Sequence, residues 1–189
     1  MLRKLLFFIL LIGNTTIFAQ KTGDGTTKPK IDYTQTGAPM PKLDFEVYND
    51  TSSDNATNAQ QKQKNNKREF LTNSDLDNSA NLIVMMFNPN CSHCQDETEM
   101  LEKNIFLFNK SKLIMVADQL TRPYLPLFVK SFHIAEYPSI YIGFDVSNFI
   151  KELFLYQPLP QVNIYSADRK LLRTFTGEIV IDSLKRYIQ

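Results

Sequence analysis

The chain of 189 residues contains two cysteines, Cys91 and Cys94, separated by a serine and a histidine. A C-x-x-C pair supports reversible disulfide chemistry or supplies half of a zinc site. A closed structural zinc site needs four ligands, whereas the chain adds only two histidines, His93 and His133, and no second C-x-x-C or H-x-x-H. A purely structural disulfide is disfavoured, because so short a loop constrains little of the unfolded chain. The spacing favours redox chemistry, and we expect no metal site.

The residues around the motif predict where it lies in the fold. An uninterrupted apolar run, Leu82–Phe87, precedes it and is typical of a strand buried on both faces. Asn88-Pro89-Asn90 then turns the chain. From Gln95 to Phe108, apolar residues recur at three- and four-residue steps, which indicates a helix. A strand, a tight turn and C-x-x-C at a helix start form the context that makes this motif a redox hypothesis.

This placement assigns a role to each residue of the motif. The first turn of a helix presents free N–H groups and the positive end of the dipole, which stabilise a thiolate over a thiol. We therefore expect Cys91 to be the nucleophile. Cys94 lies one turn further on the same helical face, where it can attack a mixed disulfide held on Cys91. His93, between them, further favours the thiolate.

With this motif and its context, the sequence from about Lys67 to Gln189 resembles the thioredoxin superfamily, most closely the secreted TlpA-like (ResA-like) thiol–disulfide oxidoreductases with a redoxin-type domain. The resemblance implies a three-layer, thioredoxin-like α/β fold with a central mixed β-sheet, an N-terminal strand extension and a βα insertion before a cis-proline. It also implies disulfide exchange without a cofactor. Gly37 to Val47 gives a weaker match, to the G-x-x-x-P element that introduces the N-terminal strand pair of TlpA-like proteins.

Two prolines compete for the position of the cis-proline that the superfamily places against its C-x-x-C. Pro160 precedes the runs 162–165 and 171–175 and then a closing helix to Gln189, which matches the hairpin and helix that end the thioredoxin fold. Pro138 precedes one strand, Ser139–Ile142, and a helix, Val146–Leu155, which matches the insertion. We therefore assign the cis-proline to Pro160, where the resemblance implies that it positions substrate.

Other elements complete the expected core. Lys112–Ala117 is a second buried-strand pattern, and its position after a helix implies a parallel βαβ unit. Pro123 marks a further helix start. Glu97, three residues after Cys94, stands where TlpA-like sequences commonly carry a glutamate, which implies a proton acceptor for the second thiol. An ordinary exposed helix carboxylate explains Glu97 equally well.

The sequence outside this core divides into segments of different character. Met1 to Ala19 has the charged start, apolar core and small-residue end of a cleaved signal peptide, and the apolar run is too short to span a membrane. We assign the whole chain as follows: signal peptide 1–19, flexible lead-in 20–36, N-terminal strand extension 37–48, polar linker or loop 49–67, thioredoxin-like domain 68–189. The signal peptide implies a periplasmic protein. An exported protein with only these two cysteines uses them for redox chemistry and not as a structural disulfide.

Net charge limits the partners. The full chain carries +1, which falls to about −1 without Arg3 and Lys4, and this near balance argues against nucleic acid or an anionic membrane. We expect no stable membrane insertion. The expected partners are cysteine-containing periplasmic proteins and a membrane or soluble thiol that donates or accepts electrons.

The sequence leaves the direction of electron flow open. Thioredoxin proper has a tryptophan before its first cysteine, a buried acid six residues before it and a proline five residues after the second; this chain has Asn90, Met85 and Glu99. A histidine before the second cysteine favours oxidase or isomerase behaviour, whereas TlpA-like proteins are usually reductants. Two other functions remain: a redox-inactive or copper-binding thioredoxin-fold interaction module, and a peroxiredoxin-like thiol peroxidase, for which we find no peroxidatic motif.

Overall fold

A computed structural model describes residues 31–49, 69–76, 79–108, 110–150 and 158–188. Seven strands form one mixed sheet in the order β2-β1-β5-β4-β3-β6-β7. The strands are β1 Asp44–Val47, β2 Glu69–Thr72, β3 Leu82–Phe87, β4 Lys112–Ala117, β5 Ile140–Asp145, β6 Gln161–Tyr165 and β7 Leu171–Thr176. The helices that lie wholly within the described residues are α1 Ser92–Lys103, α2 Leu125–Ser131 and α3 Ile181–Lys185, with short 3-10 segments at Ile105–Leu107, Gln119–Tyr124 and Ile134–Glu136. The predicted α/β fold with a mixed sheet is confirmed.

The centre of the sheet is parallel. Strand β3 pairs with β4, and β4 pairs with β5, both in parallel register. Every residue of β3 is buried, as its apolar composition predicts for a strand covered on both faces. Because α1 joins β3 to β4 and α2 lies between β4 and β5, both connections are the helical crossovers that parallel strands require.

The flanks of the sheet are antiparallel. On one side β6 pairs with β3 and with β7, which is the predicted hairpin. On the other side β1 pairs with β5 and with β2. The predicted N-terminal strand pair is thus part of the sheet, and residues 69–72, which we assigned to the start of the thioredoxin-like domain, form its second strand.

A glycine allows β1 to approach β5. A Cβ atom on Gly143 would lie 2.0 Å from the backbone oxygen of Glu46, so no other residue fits without a backbone shift. The Arg122 guanidinium adds a bidentate ion pair across the same junction, donating to both carboxylate oxygens of Glu46 at 3.0 and 2.8 Å. Arg122 also stacks 3.9 Å from the ring centroid of Phe144. These contacts fasten the extension to the core.

Apolar side chains cover both faces of the sheet. One face packs against α1, α2 and α3 through a cluster that includes Leu101, Phe128 and Leu184. The opposite face buries residues from the N-terminal segment together with Phe149. Among the described residues, no helix has the length and apolar character needed to cross a bilayer.

Several predicted boundaries were wrong by part of a turn or more. The helix starts at Ser92, as the position of the C-x-x-C motif predicts, but it ends at Lys103 and not at Phe108. The Asn104 side-chain amide donates to the carbonyl oxygen of Met100 at 2.8 Å and closes the last turn. The closing helix ends at Lys185 rather than Gln189.

Other predictions fall partly or wholly outside the described residues. In the helix predicted from Val146, helical structure begins only at Phe149, and 151–155 lie outside the described residues. So do the signal peptide, residues 20–30 of the lead-in and nearly all of the polar linker.

Candidate active site at the start of helix α1

The turn between β3 and α1 places Cys91 at the helix start, as predicted. The Asn88 side-chain oxygen accepts a hydrogen bond from the Asn90 N–H at 2.9 Å, and the Cys91 N–H donates to the Asn88 carbonyl at 3.0 Å. Cys91 has an extended backbone, and its carbonyl accepts from the Gln95 N–H at 3.0 Å, so it is the residue that caps α1. It therefore directly precedes the first turn, whose N–H groups have no partner within the helix, and its side chain makes no capping hydrogen bond to them.

The two sulfurs occupy different environments. Both are reduced; Cys91 is half-buried and Cys94 is fully buried. The pKa of Cys94 is raised to about 12, mainly by burial and also by the neighbouring Cys91 and the charge of Glu97, against a weak hydrogen bond from the Asn88 N–H at 3.5 Å. Cys94 is thus held as a thiol until a base removes its proton, while Cys91 is the cysteine that a partner can reach.

Pro160 lies in the predicted conformation beside Cys91. The Leu159–Pro160 peptide bond is cis, and no other cis bond occurs in the described part of the chain, so Pro138 is not cis. The carbonyl oxygen of Leu159 lies 4.0 Å from Cys91 Sγ. The Pro160 carbonyl in turn accepts a hydrogen bond from the Gly177 N–H at 2.9 Å, which ties this loop to the end of β7. The substrate-positioning role of Pro160 stays a prediction.

Glu97 is a buried carboxyl group and not a solvated one. It is 2% exposed, and its Oε2 accepts a hydrogen bond from the Ile179 N–H at 3.0 Å. Its Oε1 is buried without a hydrogen-bond partner among the described residues. Burial raises the pKa of Glu97 to about 7; the Ile179 N–H opposes this and the charge of Glu178 adds to it. A carboxyl group with this pKa can exchange protons near neutral pH, as a general acid–base group must.

His93 projects to the surface. Its side chain is 64% exposed, and Nδ1 lies 3.5 Å from Oε1 of Glu178. Donor atoms of His93, Asp96 and Glu178 lie within 4.8 Å of one another, but all three side chains are exposed, and exposed acidic groups often cluster without an ion. The second histidine, His133, lies elsewhere, at the end of α2, with Nδ1 3.4 Å from Glu102. His93 therefore faces a carboxylate that the sequence analysis did not identify.

Sequence reasoning missed Glu178, and no local signal could have identified it. Glu178 follows β7 in a short connection whose composition is ordinary, and only the folded sheet brings that connection to the start of α1. The five predicted residues lie on two segments: Cys91 caps α1, His93, Cys94 and Glu97 lie within α1, and Pro160 directly precedes β6.

Comparisons with known proteins locate this arrangement among known folds. No protein-family model matches the sequence, and no curated protein sequence matches it. Solved structures do match. The thioredoxin domain of a thiol–disulfide oxidoreductase from Bacteroides vulgatus is 12% identical, with a TM-score of 0.58, over 82% of this chain and 99% of that one.

Two further structures give similar values. A secreted disulfide oxidoreductase from Mycobacterium tuberculosis is 14% identical, with a TM-score of 0.52, over 64% of this chain and 87% of that one. StoA from Bacillus subtilis is also 14% identical, with a TM-score of 0.50, over 64% and 89% of the two chains. At these identities the matches show the fold. The chain has a thioredoxin-like fold, and its structural neighbours are thiol–disulfide oxidoreductases of the thioredoxin superfamily.

Proposed function

Because the thioredoxin-like fold carries a C-x-x-C motif at the start of α1, we propose that the protein is a thiol–disulfide oxidoreductase acting on cysteines of other proteins. The observation that carries this proposal is the difference between the two sulfurs. Cys91 caps the helix and is accessible, whereas Cys94 is buried with a pKa of about 12. One cysteine is suited to meeting a client and the other to resolving the mixed disulfide.

In the reductive direction, the Cys91 thiolate attacks one sulfur of a client disulfide. A mixed disulfide forms on Cys91, and the other client sulfur leaves as a thiolate. Cys94 then loses its proton and attacks Cys91 Sγ, which forms the Cys91–Cys94 disulfide and releases the second client sulfur. The client gains two electrons and the chain loses two, while the cysteine protons pass to the client thiolates. The same steps in reverse oxidise a client dithiol.

Glu97 supplies the base for the resolving step. A Cys94 thiol with a pKa of about 12 ionises too rarely at neutral pH to attack unaided. The Glu97 carboxyl group, with a pKa of about 7, is buried near enough for its charge to act on Cys94. It can accept the proton in this direction and return it in the other. His93 tunes the first thiolate, and the loop at Pro160 positions the client chain beside Cys91.

The proposed location is the periplasm. The N-terminal signal-peptide pattern supports it, and one structural neighbour is a secreted disulfide oxidoreductase. The proposed clients are cysteine-containing periplasmic proteins, with a membrane or soluble thiol as electron donor or acceptor.

The test is the equilibrium between the Cys91–Cys94 couple and glutathione in the purified protein, with Cys91→Ser as the control that cannot form the disulfide. A potential of roughly −270 mV would identify a reductase, and one of roughly −120 to −180 mV an oxidase or isomerase. If no reversible couple forms, the enzyme proposal is wrong. Insulin reduction, peroxide turnover and copper binding by the same sample then separate the interaction module from the thiol peroxidase.

A further inference from the structure

Three consecutive residues after β7 each contact a different part of the redox site. The Gly177 N–H donates to the Pro160 carbonyl at 2.9 Å. The Glu178 carboxylate lies 3.5 Å from His93 Nδ1. The Ile179 N–H donates to Glu97 Oε2 at 3.0 Å. We call residues 177–179 the β7–α3 turn. Because its contacts reach three separate elements of the site, this turn can fix their relative positions.

Within this turn, Glu178 alone brings a charge. The backbone N–H groups of Gly177 and Ile179 do not depend on their own side chains to form these hydrogen bonds. The Glu178 carboxylate, in contrast, lies beside His93, the one side chain of the motif that can become positively charged. Its charge also acts on Glu97, which the next residue along the chain holds. A single carboxylate is thus placed to influence both groups that control protons and charge around the cysteines.

We propose that Glu178 is a positioning residue that restrains the oxidising influence of His93 on the Cys91–Cys94 couple. The inference rests on the proposed function and adds a residue that shifts the redox equilibrium between the Cys91–Cys94 disulfide and the dithiol. A positive charge on His93, two residues after Cys91 in the motif, would stabilise the Cys91 thiolate and hence the reduced dithiol, which makes the couple more oxidising. A carboxylate 3.5 Å from the same ring offsets that positive charge and draws the couple back towards the disulfide.

The expected size of the redox shift depends on the solvent exposure of the His93–Glu178 pair. The side chains of His93 and Glu178 are 64% and 73% exposed, so water weakens their attraction. Couplings of exposed charge pairs correspond to changes of about 1.5- to 5-fold in an equilibrium constant. We therefore expect Glu178→Gln to shift the equilibrium with glutathione towards the dithiol by about 1.5- to 5-fold.

A matched control separates this contact from a general change of charge. Asp182, four residues later on α3, has a side chain 76% exposed and pairs with Lys185 at 2.7 Å. Asp182→Asn removes the same charge at the same exposure without removing a contact to the redox site. The measurement is the glutathione equilibrium of the wild type, Glu178→Gln and Asp182→Asn at pH 7 and fixed ionic strength, together with His93→Gln and the double variant His93→Gln/Glu178→Gln.

The outcomes are distinct. The inference predicts a shift in Glu178→Gln, an equilibrium within error of the wild type in Asp182→Asn, and a Glu178→Gln shift of a different size when His93 is absent. If Glu178→Gln and Asp182→Asn behave alike, or if the Glu178→Gln shift is the same with and without His93, the inference is wrong. If the wild type itself forms no reversible couple, the proposed function has failed instead. A variant that only destabilises the fold would lower the unfolding midpoint without moving the equilibrium.

Discussion

The Ile179 N–H donates a hydrogen bond to Oε2 of Glu97 at 3.0 Å, which joins the helix of the redox motif to a residue 82 positions later. This bond gives one oxygen of the buried carboxyl group a hydrogen-bond donor. The other oxygen, Oε1, has no hydrogen-bond partner among the described residues. A buried carboxyl group with half of its acceptors unsatisfied is costly in its charged form. This cost raises the pKa of Glu97 to about 7, so the carboxyl group can exchange protons near neutral pH. The effect on rate and on stability can be measured.

The two cysteines should differ sharply towards an alkylating reagent. With a pKa of about 12, Cys94 is ionised in about one molecule in ten thousand at pH 8, and its sulfur is fully buried as well. We expect iodoacetamide to modify only Cys91 in the native protein. Mass spectrometry of the reduced protein measures this directly. In Cys91→Ser, Cys94 should react only after denaturant is added; rapid native labelling of that variant would contradict the assigned roles.

Replacing Glu97 should slow disulfide exchange and change its pH dependence. In the wild type, the rate should rise as pH increases through about 7, because the carboxylate form is the one that accepts the Cys94 proton. Glu97→Gln should lose about a hundredfold or more in rate at pH 7.5, and its profile should lack that inflection.

Stopped-flow kinetics with a disulfide-containing peptide would measure both effects. Glu99→Gln on the exposed face of the same helix is the control, and it should match the wild type. An unchanged inflection in Glu97→Gln would assign the titration to another group.

The same substitution should stabilise the fold at alkaline pH. The pKa of Glu97 is raised from 4.5 to about 7 in the folded state, so below pH 4.5 the carboxyl group is protonated in both states and has no effect. Between pH 4.5 and 7 the unfolded chain ionises first, and the free energy of unfolding falls by up to about 3 kcal/mol.

Glu97→Gln avoids this loss, and its amide oxygen can still accept from the Ile179 N–H. We therefore expect the variant to be more stable than the wild type by about 1–3 kcal/mol at pH 8, with no gain at pH 4. Urea unfolding at the two pH values tests this, and an equal gain at both would point to packing instead.

Gly143→Ala should loosen the junction between the N-terminal strand pair and the core. The added Cβ would lie 2.0 Å from the backbone oxygen of Glu46, so β1 or β5 must move, at a cost of about 1–3 kcal/mol in the free energy of unfolding. Gly37→Ala is a useful comparison, because its Cβ meets no atom within 4 Å and only its positive φ of 87° opposes the change. Chemical denaturation of both variants separates crowding from backbone strain.

Local sequence determined the parts of the site that depend on local structure. The apolar run at β3, the turn after it and the cysteine at the helix start are neighbours along the chain, so their periodicity and turn residues were enough to place them. Pro160 could be chosen over Pro138 because the hairpin and helix that follow it are themselves local patterns.

Features that depend on contacts between distant parts of the chain could not be predicted from the sequence. Whether Glu97 is buried or solvated depends on the segment that covers α1, and that segment comes from the far end of the chain. Glu178 meets His93 only once β7 has paired with β6. Likewise, no pattern in β1 indicates that its partner is β5, since that pairing depends on close approach at Gly143.

The position of the N-terminal strand pair also bears on the solubility of the protein. Without β1, the outer edge of the sheet would be β5, a six-residue strand whose side chains are mostly buried and apolar. Long, flat, apolar edges pair with other chains, whereas short and polar edges resist this. In the described sheet that edge is instead β2, which is four residues long and contains an exposed charge, Glu69, beside a half-exposed phenylalanine, Phe70. The strand pair thus covers the longer apolar edge of β5 and leaves a shorter edge for strand-by-strand association.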